Sequence, residues 1–239
     1  MKTVLITGAN KGIGFETAKQ LAQMDYFVYL GSRDKVKGTA AVNRLKDSGI
    51  SNVDSIEIDV TDIQSLKQAK QALENKIPAL DVLINNAAIA GKQGEDVSVT
   101  DIENLRNLFE TNFFGAVQTI RQFIDLLRKA NDPIIINVSS ELGSLTMHSS
   151  PERNPNWKKF HAYASSKTAL NALTVLLANE FKGTHLKINS VSPGYTATDL
   201  NQQKGTQTPE QGAKIIVNGV ILAHHGTTGT FFKEQEIPW

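Results

Sequence analysis

The sequence predicts an α/β fold: a doubly wound parallel sheet of about seven strands with helices on both faces. Two observations predict it. Apolar, β-rich runs alternate with amphipathic stretches along the whole chain, and the runs are continuous rather than alternating. A continuously apolar strand needs cover on both faces, and strand–helix alternation supplies that cover through right-handed crossovers. Strands are expected at Thr3–Thr7, Tyr26–Leu30, Val53–Ile58, Leu80–Ile84, Pro133–Val138, Leu186–Val191 and Gly229–Phe232. Helices are expected at Phe15–Met24, Val36–Lys46, Ile63–Leu73, Ile102–Lys129, Tyr163–Phe181 and Pro209–Ala223. No Pro/Gly/Ser-rich linker or internal repeat interrupts the 239 residues, so one domain spanning 1–239 is expected.

Charge and composition exclude several classes of partner. With 25 Lys and Arg against 24 Asp and Glu, no global field draws the chain to nucleic acid or an anionic membrane. The absence of cysteine rules out disulfides and thiol chemistry. The apolar run after Met1-Lys2 is too short for a signal-peptide core, and no stretch is long enough to span a bilayer. A cytoplasmic protein is expected.

In such a sheet, ligands bind beyond the carboxyl ends of the strands. The first strand runs into Gly8-Ala-Asn-Lys-Gly-Ile-Gly14 and then a helix. Glycines permit the turn, and the helix start offers unpaired N–H groups with partial positive charge, which together suit an anion. The spacing is G-x-x-x-G-x-G rather than G-x-G-x-x-G, so the general dinucleotide fingerprint is not met and a structural turn remains the alternative. The second strand ends Gly31-Ser32-Arg33-Asp34. A small residue followed by arginine suits a 2′-phosphate on the ribose, Lys11 adds a second cation, and Asp34 reads as a helix N-cap. Ordinary solvated charge is the other reading of Arg33 and Lys11. After the third strand, Asp59 is placed to accept from an adenine amino group, while Asp62 reads as a cap. The fourth ends Asn85-Asn86-Ala87-Ala88, amides that satisfy loop backbone beside small residues that let a ribose approach. The fifth ends Asn137-Val138-Ser139-Ser140, whose hydroxyls are also common in turns.

Tyr163-Ala-Ser-Ser-Lys167 opens an apolar helix and sets tyrosine and lysine one turn apart on one face. A tyrosine near its ordinary pKa of about 10 is a poor acid–base catalyst at neutral pH, and an ammonium beside it favours the phenolate. A surface Tyr–Lys pair is the bland reading of this spacing. The serine-ended strand before it and Pro193-Gly194 after the next strand weigh against that.

TGANKGIG, NNAA, Asn112 within Thr111-Asn-Phe-Phe-Gly115, NVSS, YASSK and SPGYTAT follow one another in the order found in the short-chain dehydrogenase/reductase family. The chain resembles that family over essentially its whole length, and within it the NADPH-dependent carbonyl reductases. The resemblance implies a Rossmann-type fold with Ser140, Tyr163 and Lys167 as catalytic triad and Asn112 completing a tetrad. It implies that NADPH lies against Gly8, Asn10, Lys11, Gly12, Ile13, Gly14, Ser32, Arg33, Asp59, Val60, Asn86, Ala87, Ala88, Tyr163, Lys167, Pro193, Gly194, Thr196 and Thr198. The activity implied is hydride transfer to a ketone or aldehyde. Tyr163 is then the acid, Ser140 the oxyanion donor, Lys167 the group that lowers the tyrosine pKa and binds ribose, and Asn112 a holder of water.

Two departures qualify the resemblance. NNAA stands where the family has NNAG, so Ala88 fits only with negative φ. The segment Glu141–Phe160, an insertion before the catalytic helix, is longer than in most members. Its Pro and Lys content predicts a mobile loop rather than a packed helix. The layout resembles animal carbonyl reductases, whose insertion covers the long helices through which members usually associate. That resemblance, with polar Glu103, Arg106, Asn107, Glu110, Gln118, Arg121 and Gln122 on the first of those helices, implies a monomer rather than a dimer or tetramer. The following lid, Asp199–Thr208, is short and polar, so an open pocket for bulky aromatic or alicyclic ketones is expected, with Trp157 as a wall. Two other readings share the motifs, a sugar-nucleotide epimerase or dehydratase and a non-catalytic NADP-binding regulator. The five histidines (148, 161, 185, 224 and 225) show no metal-ligand spacing.

Overall fold

The computed structural model describes residues 1–92, 94 and 96–239, with Lys158 described by its backbone alone. Seven strands, β1 (Thr3–Ile6), β2 (Phe27–Ser32), β3 (Val53–Glu57), β4 (Val82–Asn85), β5 (Ile134–Val138), β6 (Lys187–Val191) and β7 (Phe231–Phe232), form one sheet. All pairings are parallel, in the order β3-β2-β1-β4-β5-β6-β7. Strand order reverses between β1 and β4, which opens a crevice at their carboxyl ends.

The apolar runs behave as two-faced strands. Val4 and Ile6 join one core layer with α1 (Gly12–Gln23), α2 (Lys35–Asp47) and α8 (Pro209–His224). Leu5 faces the opposite layer with α3 (Ile63–Glu74), α5 (Gly115–Leu127) and α7 (His161–Glu180). Phe123 of α5 has no exposed surface there, and burial of such a ring stabilises by about 2–3 kcal/mol. The expected caps form: Asp34 Oδ1 accepts from Lys37 N at 3.0 Å, and Asp62 Oδ1 from Gln64 N at 2.8 Å. No helix among the described residues is long and apolar enough to cross a membrane.

Three expectations change. The second strand runs on through Ser32, paired with Glu57, because Gly38 of α2 lets that helix press against Ser32; a Cβ on Gly38 would lie 3.2 Å from Ser32 Cβ. The helix expected at Ile102–Lys129 is α4 (Ile102–Phe109) and α5 joined through a π-turn, Glu110–Phe114. The segment 141–160 is not an unstructured loop. It holds a 3₁₀ turn (Glu141–Gly143), a short helix α6 (Leu145–Ser149) and a second 3₁₀ turn (Pro155–Phe160).

A buried polar chain ties the carboxyl half of the sheet to α7. Asn85 Nδ2 donates to Asn137 Oδ1 at 2.8 Å, Asn137 Nδ2 to Thr174 Oγ1 at 2.9 Å, and Thr174 Oγ1 lies 2.8 Å from Ser190 Oγ. Replacing Asn137 with Ala removes two bonds and leaves buried groups unpaired, each worth about 1–3 kcal/mol. Urea unfolding of Asn137→Ala is expected to show a loss of at least about 2 kcal/mol with an unchanged m-value.

Candidate active site

The crevice between β1 and β4 opens into one cleft of about 1580 Å³. At its floor the glycine turn is shaped by the chain opposite. Gly8 and Gly12 take φ of +65° and +60°, the left-handed region that favours glycine. Gly14 is required for closeness rather than conformation, since a Cβ there would lie 2.5 Å from Asn86 Nδ2. That amide donates to Thr7 O at 2.9 Å and Gly8 O at 3.1 Å, while Thr7 Oγ1 accepts from the N–H groups of Asn86 and Ala87 at 3.0 Å. The NNAA stretch therefore fastens the turn from below. Ala88 keeps a φ outside the left-handed region, so its methyl is accommodated.

The α1 N-terminus has no side-chain cap, and Lys11, its N-cap residue, lines the cleft. An uncapped helix start facing a cavity is a ready anion site. Arg33 lines the same cleft, as do all the residues expected on the cofactor side except Ser32. Ser32 is buried at the strand end, its hydroxyl donating to Asp34 O at 2.9 Å, so its part is to leave space and shape the turn that carries Arg33. Lys11 is paired with Asp199 across the cleft mouth at 2.6 Å.

At the other end stand Tyr163 and Lys167, one turn apart on α7. The lysine Nζ lies 5.6 Å from the tyrosine ring centroid and donates to Val138 O at 2.8 Å. Burial acts on both in the direction that removes charge: it pushes the Tyr163 phenol well above 10 and brings the Lys167 ammonium down to about 7. A lowered tyrosine pKa was expected from the lysine, but in this structure desolvation dominates. Ser140 lines the cleft, and its Oγ accepts from Leu142 N at 3.2 Å, which leaves the hydroxyl proton available. Ser139 Oγ is buried without a hydrogen-bond partner among the described residues.

Residues not foreseen hold this end together. Gly143 packs so closely on α7 that a Cβ would sit 2.9 Å from the Lys167 carbonyl carbon. Its carbonyl accepts from Thr168 Oγ1 at 3.1 Å and Asn171 Nδ2 at 3.2 Å, pinning the Ser140 turn to the Tyr–Lys helix. The glycine three residues after Ser140 was the available signal. Asn112 stands behind the cleft wall rather than in it. Its Oδ1 accepts from Ile89 N at 2.8 Å, and its Nδ2 donates to Ile89 O and Ser166 Oγ, both at 3.0 Å. The π-turn that presents it is a feature often found at functional sites. Among the described residues no group of three or more His, Cys, Asp or Glu could hold a metal.

The family model described as short chain dehydrogenase matches residues 2–209. The chain belongs to the short-chain dehydrogenase family. Among curated relatives, the (+)-neomenthol dehydrogenase of Capsicum annuum is 31% identical over 302 residues, covering 98% of this chain and 96% of the relative. Salutaridine reductase of Papaver somniferum is 30% identical over 299 residues, covering 99% and 95%. A solved structure of the Papaver somniferum reductase superposes with a TM-score of 0.84 at 29% identity, covering 98% of this chain and all of the other. The first alignment has 302 positions against a chain of 239 residues, so this short-chain dehydrogenase lacks at least 63 residues found inside that relative.

The buried lysine has a consequence for stability. Between pH 7 and 10 an unfolded chain keeps the Lys167 proton that the folded chain has released, so the unfolded state binds more protons and stability rises with pH. Above pH 10 Tyr163, held protonated by burial, contributes the opposite slope. Urea unfolding from pH 7 to 10 is expected to show this rise in the wild type and to lack it in Lys167→Met.

Proposed function

We propose that the chain reduces a ketone or aldehyde to an alcohol using NADPH, with Tyr163 as general acid. The observation that carries the reading is the placing of Tyr163, Lys167 and Ser140 in one cleft with an uncapped, glycine-rich helix start. The residues present fit the dinucleotide. The uncapped α1 N–H groups would hold the pyrophosphate, Arg33, unpaired among the described residues, would take a 2′-phosphate, and Gly194, Thr196 and Thr198, which line the same cleft, would meet the nicotinamide end. When bound, NADPH supplies the hydride.

The remaining chemistry belongs to the chain. Hydride addition at the carbonyl carbon drives the C=O π pair onto oxygen, and the Tyr163 hydroxyl gives that oxygen its proton. Burial keeps the phenol protonated but makes it a weaker acid, so release of the proton depends on a neighbouring positive charge. Ser140 donates a hydrogen bond to the same oxygen as negative charge develops. The Lys167 ammonium stabilises the tyrosinate left behind, and it would also bind the nicotinamide ribose. With its amide bonded to Ile89 and Ser166, Asn112 fixes the Ile89 wall to α7.

The names of the relatives, a neomenthol dehydrogenase and salutaridine reductases, support alicyclic and polycyclic ketones as the substrate class. Trp157 and Phe160 border the cleft as apolar wall for such a ring.

Tyr163→Phe is expected to abolish turnover of a cyclic ketone while NADPH, titrated by fluorescence, still binds. Retained turnover would remove Tyr163 from the reaction. Arg33→Ala is expected to lower the NADPH-over-NADH preference in kcat/KM by about one to two orders of magnitude, the worth of one charge-assisted contact. An unchanged ratio would place the 2′-phosphate elsewhere.

A further inference from the structure

The C-terminal residues reach back to the segment that carries the substrate side of the cleft. After β7, Ile237 N donates to Phe231 O at 2.8 Å, and the Trp239 ring stacks on Phe231 with centroids 5.5 Å apart and planes inclined by 20°. From there the main chain meets the insertion. Ser144 Oγ donates to Pro238 O at 2.7 Å, Thr146 N–H donates to Trp239 O at 2.8 Å, and Lys233 pairs with Glu141 at 3.6 Å. Ser144 is wholly buried and also caps α6, accepting from Met147 N at 3.1 Å.

A five-residue helix cannot hold itself, because nucleation costs more than one turn of hydrogen bonds returns. The position of α6 is therefore set by what grips it. At its far end is His148, whose Nε2 lies 2.9 Å from Leu142 O and whose ring sits 5.0 Å from the Trp157 ring. Leu142 and Trp157 both line the cleft.

We propose that Trp239 and His148 are positioning residues for the substrate side: a brace runs from the Phe231–Trp239 stack through Ser144 and α6 to His148, and it fixes both the Ser140 turn and the Trp157 wall. Trp239 touches neither substrate nor cofactor in this account. Its ring anchors the tail, and the anchored tail presents the two carbonyls that α6 needs. The kinetic part of the test rests on the carbonyl-reductase reading, and the exchange part does not.

Hydrogen–deuterium exchange by mass spectrometry is run on wild type, Trp239→Ala, Trp239→Phe and His148→Ala. In Trp239→Ala, amides within 141–160 are expected to exchange faster while those of 1–24 keep their rates. Trp239→Phe, which retains a ring on Phe231, is expected to restore protection. With a bulky cyclic ketone, KM is expected to rise about three- to tenfold in Trp239→Ala and in His148→Ala, the worth of one aromatic contact. NADPH affinity and KM for a small aldehyde are expected to stay constant. The double variant is expected to show less than the sum of the two effects, as residues in one chain of contacts do. Unchanged exchange in 141–160, a Phe variant that restores nothing, or an equal loss of NADPH affinity would overturn the brace. If Trp239→Ala does not fold, His148→Ala decides the point, with faster exchange in 150–160 supporting the brace and unchanged exchange refuting it. If the wild type reduces no carbonyl with NADPH, the proposed function fails while the exchange result still judges the brace.

Discussion

Lys167 is 2% exposed, and its ammonium has one hydrogen bond among the described residues, to Val138 O at 2.8 Å. An ammonium taken out of water is costly unless the surroundings replace its hydration, and the usual response is to shed the proton. Much of the carboxyl edge of the sheet is organised around that constraint. The strand β5 must end where its carbonyl meets Nζ, which the polar chain from Asn85 through Asn137 to Thr174 secures by tying β4, β5 and α7 together. The Ser140 turn must lie flat on α7, which requires Gly143. Tyr163 then stands beside the lysine, partly exposed to the cleft that both line. Burial leaves that ammonium sensitive to the groups around it, Tyr163 first among them.

Much of the architecture was legible because it depends on local pattern. Continuous apolar runs can be covered only by helices on both faces, so the sheet and its crossovers followed from periodicity. Tyr163 and Lys167 were legible because i and i+4 share a helix face whatever the tertiary context. Contacts between distant segments were not legible. Nothing in Gly31-Ser32 says that Gly38 lets α2 press down and draw Ser32 into the strand. Nothing in TNFFG says that its asparagine sits in a π-turn with its amide spent on Ile89 and Ser166. The insertion was misjudged because Pro and Lys content describes what a segment does alone, whereas α6 is held by residues some ninety positions away, Ser144 to Pro238 among them.

The relatives show what this chain does without. An alignment of 302 positions onto 239 residues means that a large internal part of the Capsicum annuum enzyme has no counterpart here, while the sheet and the motif order remain. Among the described residues, the cleft is bordered beyond Ser140 by the 3₁₀ turn Glu141–Gly143 and by Pro155–Phe160, and beyond Thr198 by a polar loop that opens with a third 3₁₀ turn, Asp199–Asn201. That loop is fastened by a Thr198–Asn201 capping box and by the Lys11–Asp199 pair, whose partners are more than half exposed. Pairs this exposed are largely screened by solvent, so the strap across the cleft mouth is weak.

On the proposed function, this cleft passes a hydride directly from NADPH to a carbonyl carbon. That transfer is tested most directly with NADPH deuterated at the transferable C4 position and a cyclic ketone, the alcohol being analysed by chiral gas chromatography and mass spectrometry. One deuterium at the carbinol carbon and a single dominant stereoisomer are expected. An alcohol without deuterium, or oxidation of NADPH with no alcohol formed, would contradict it.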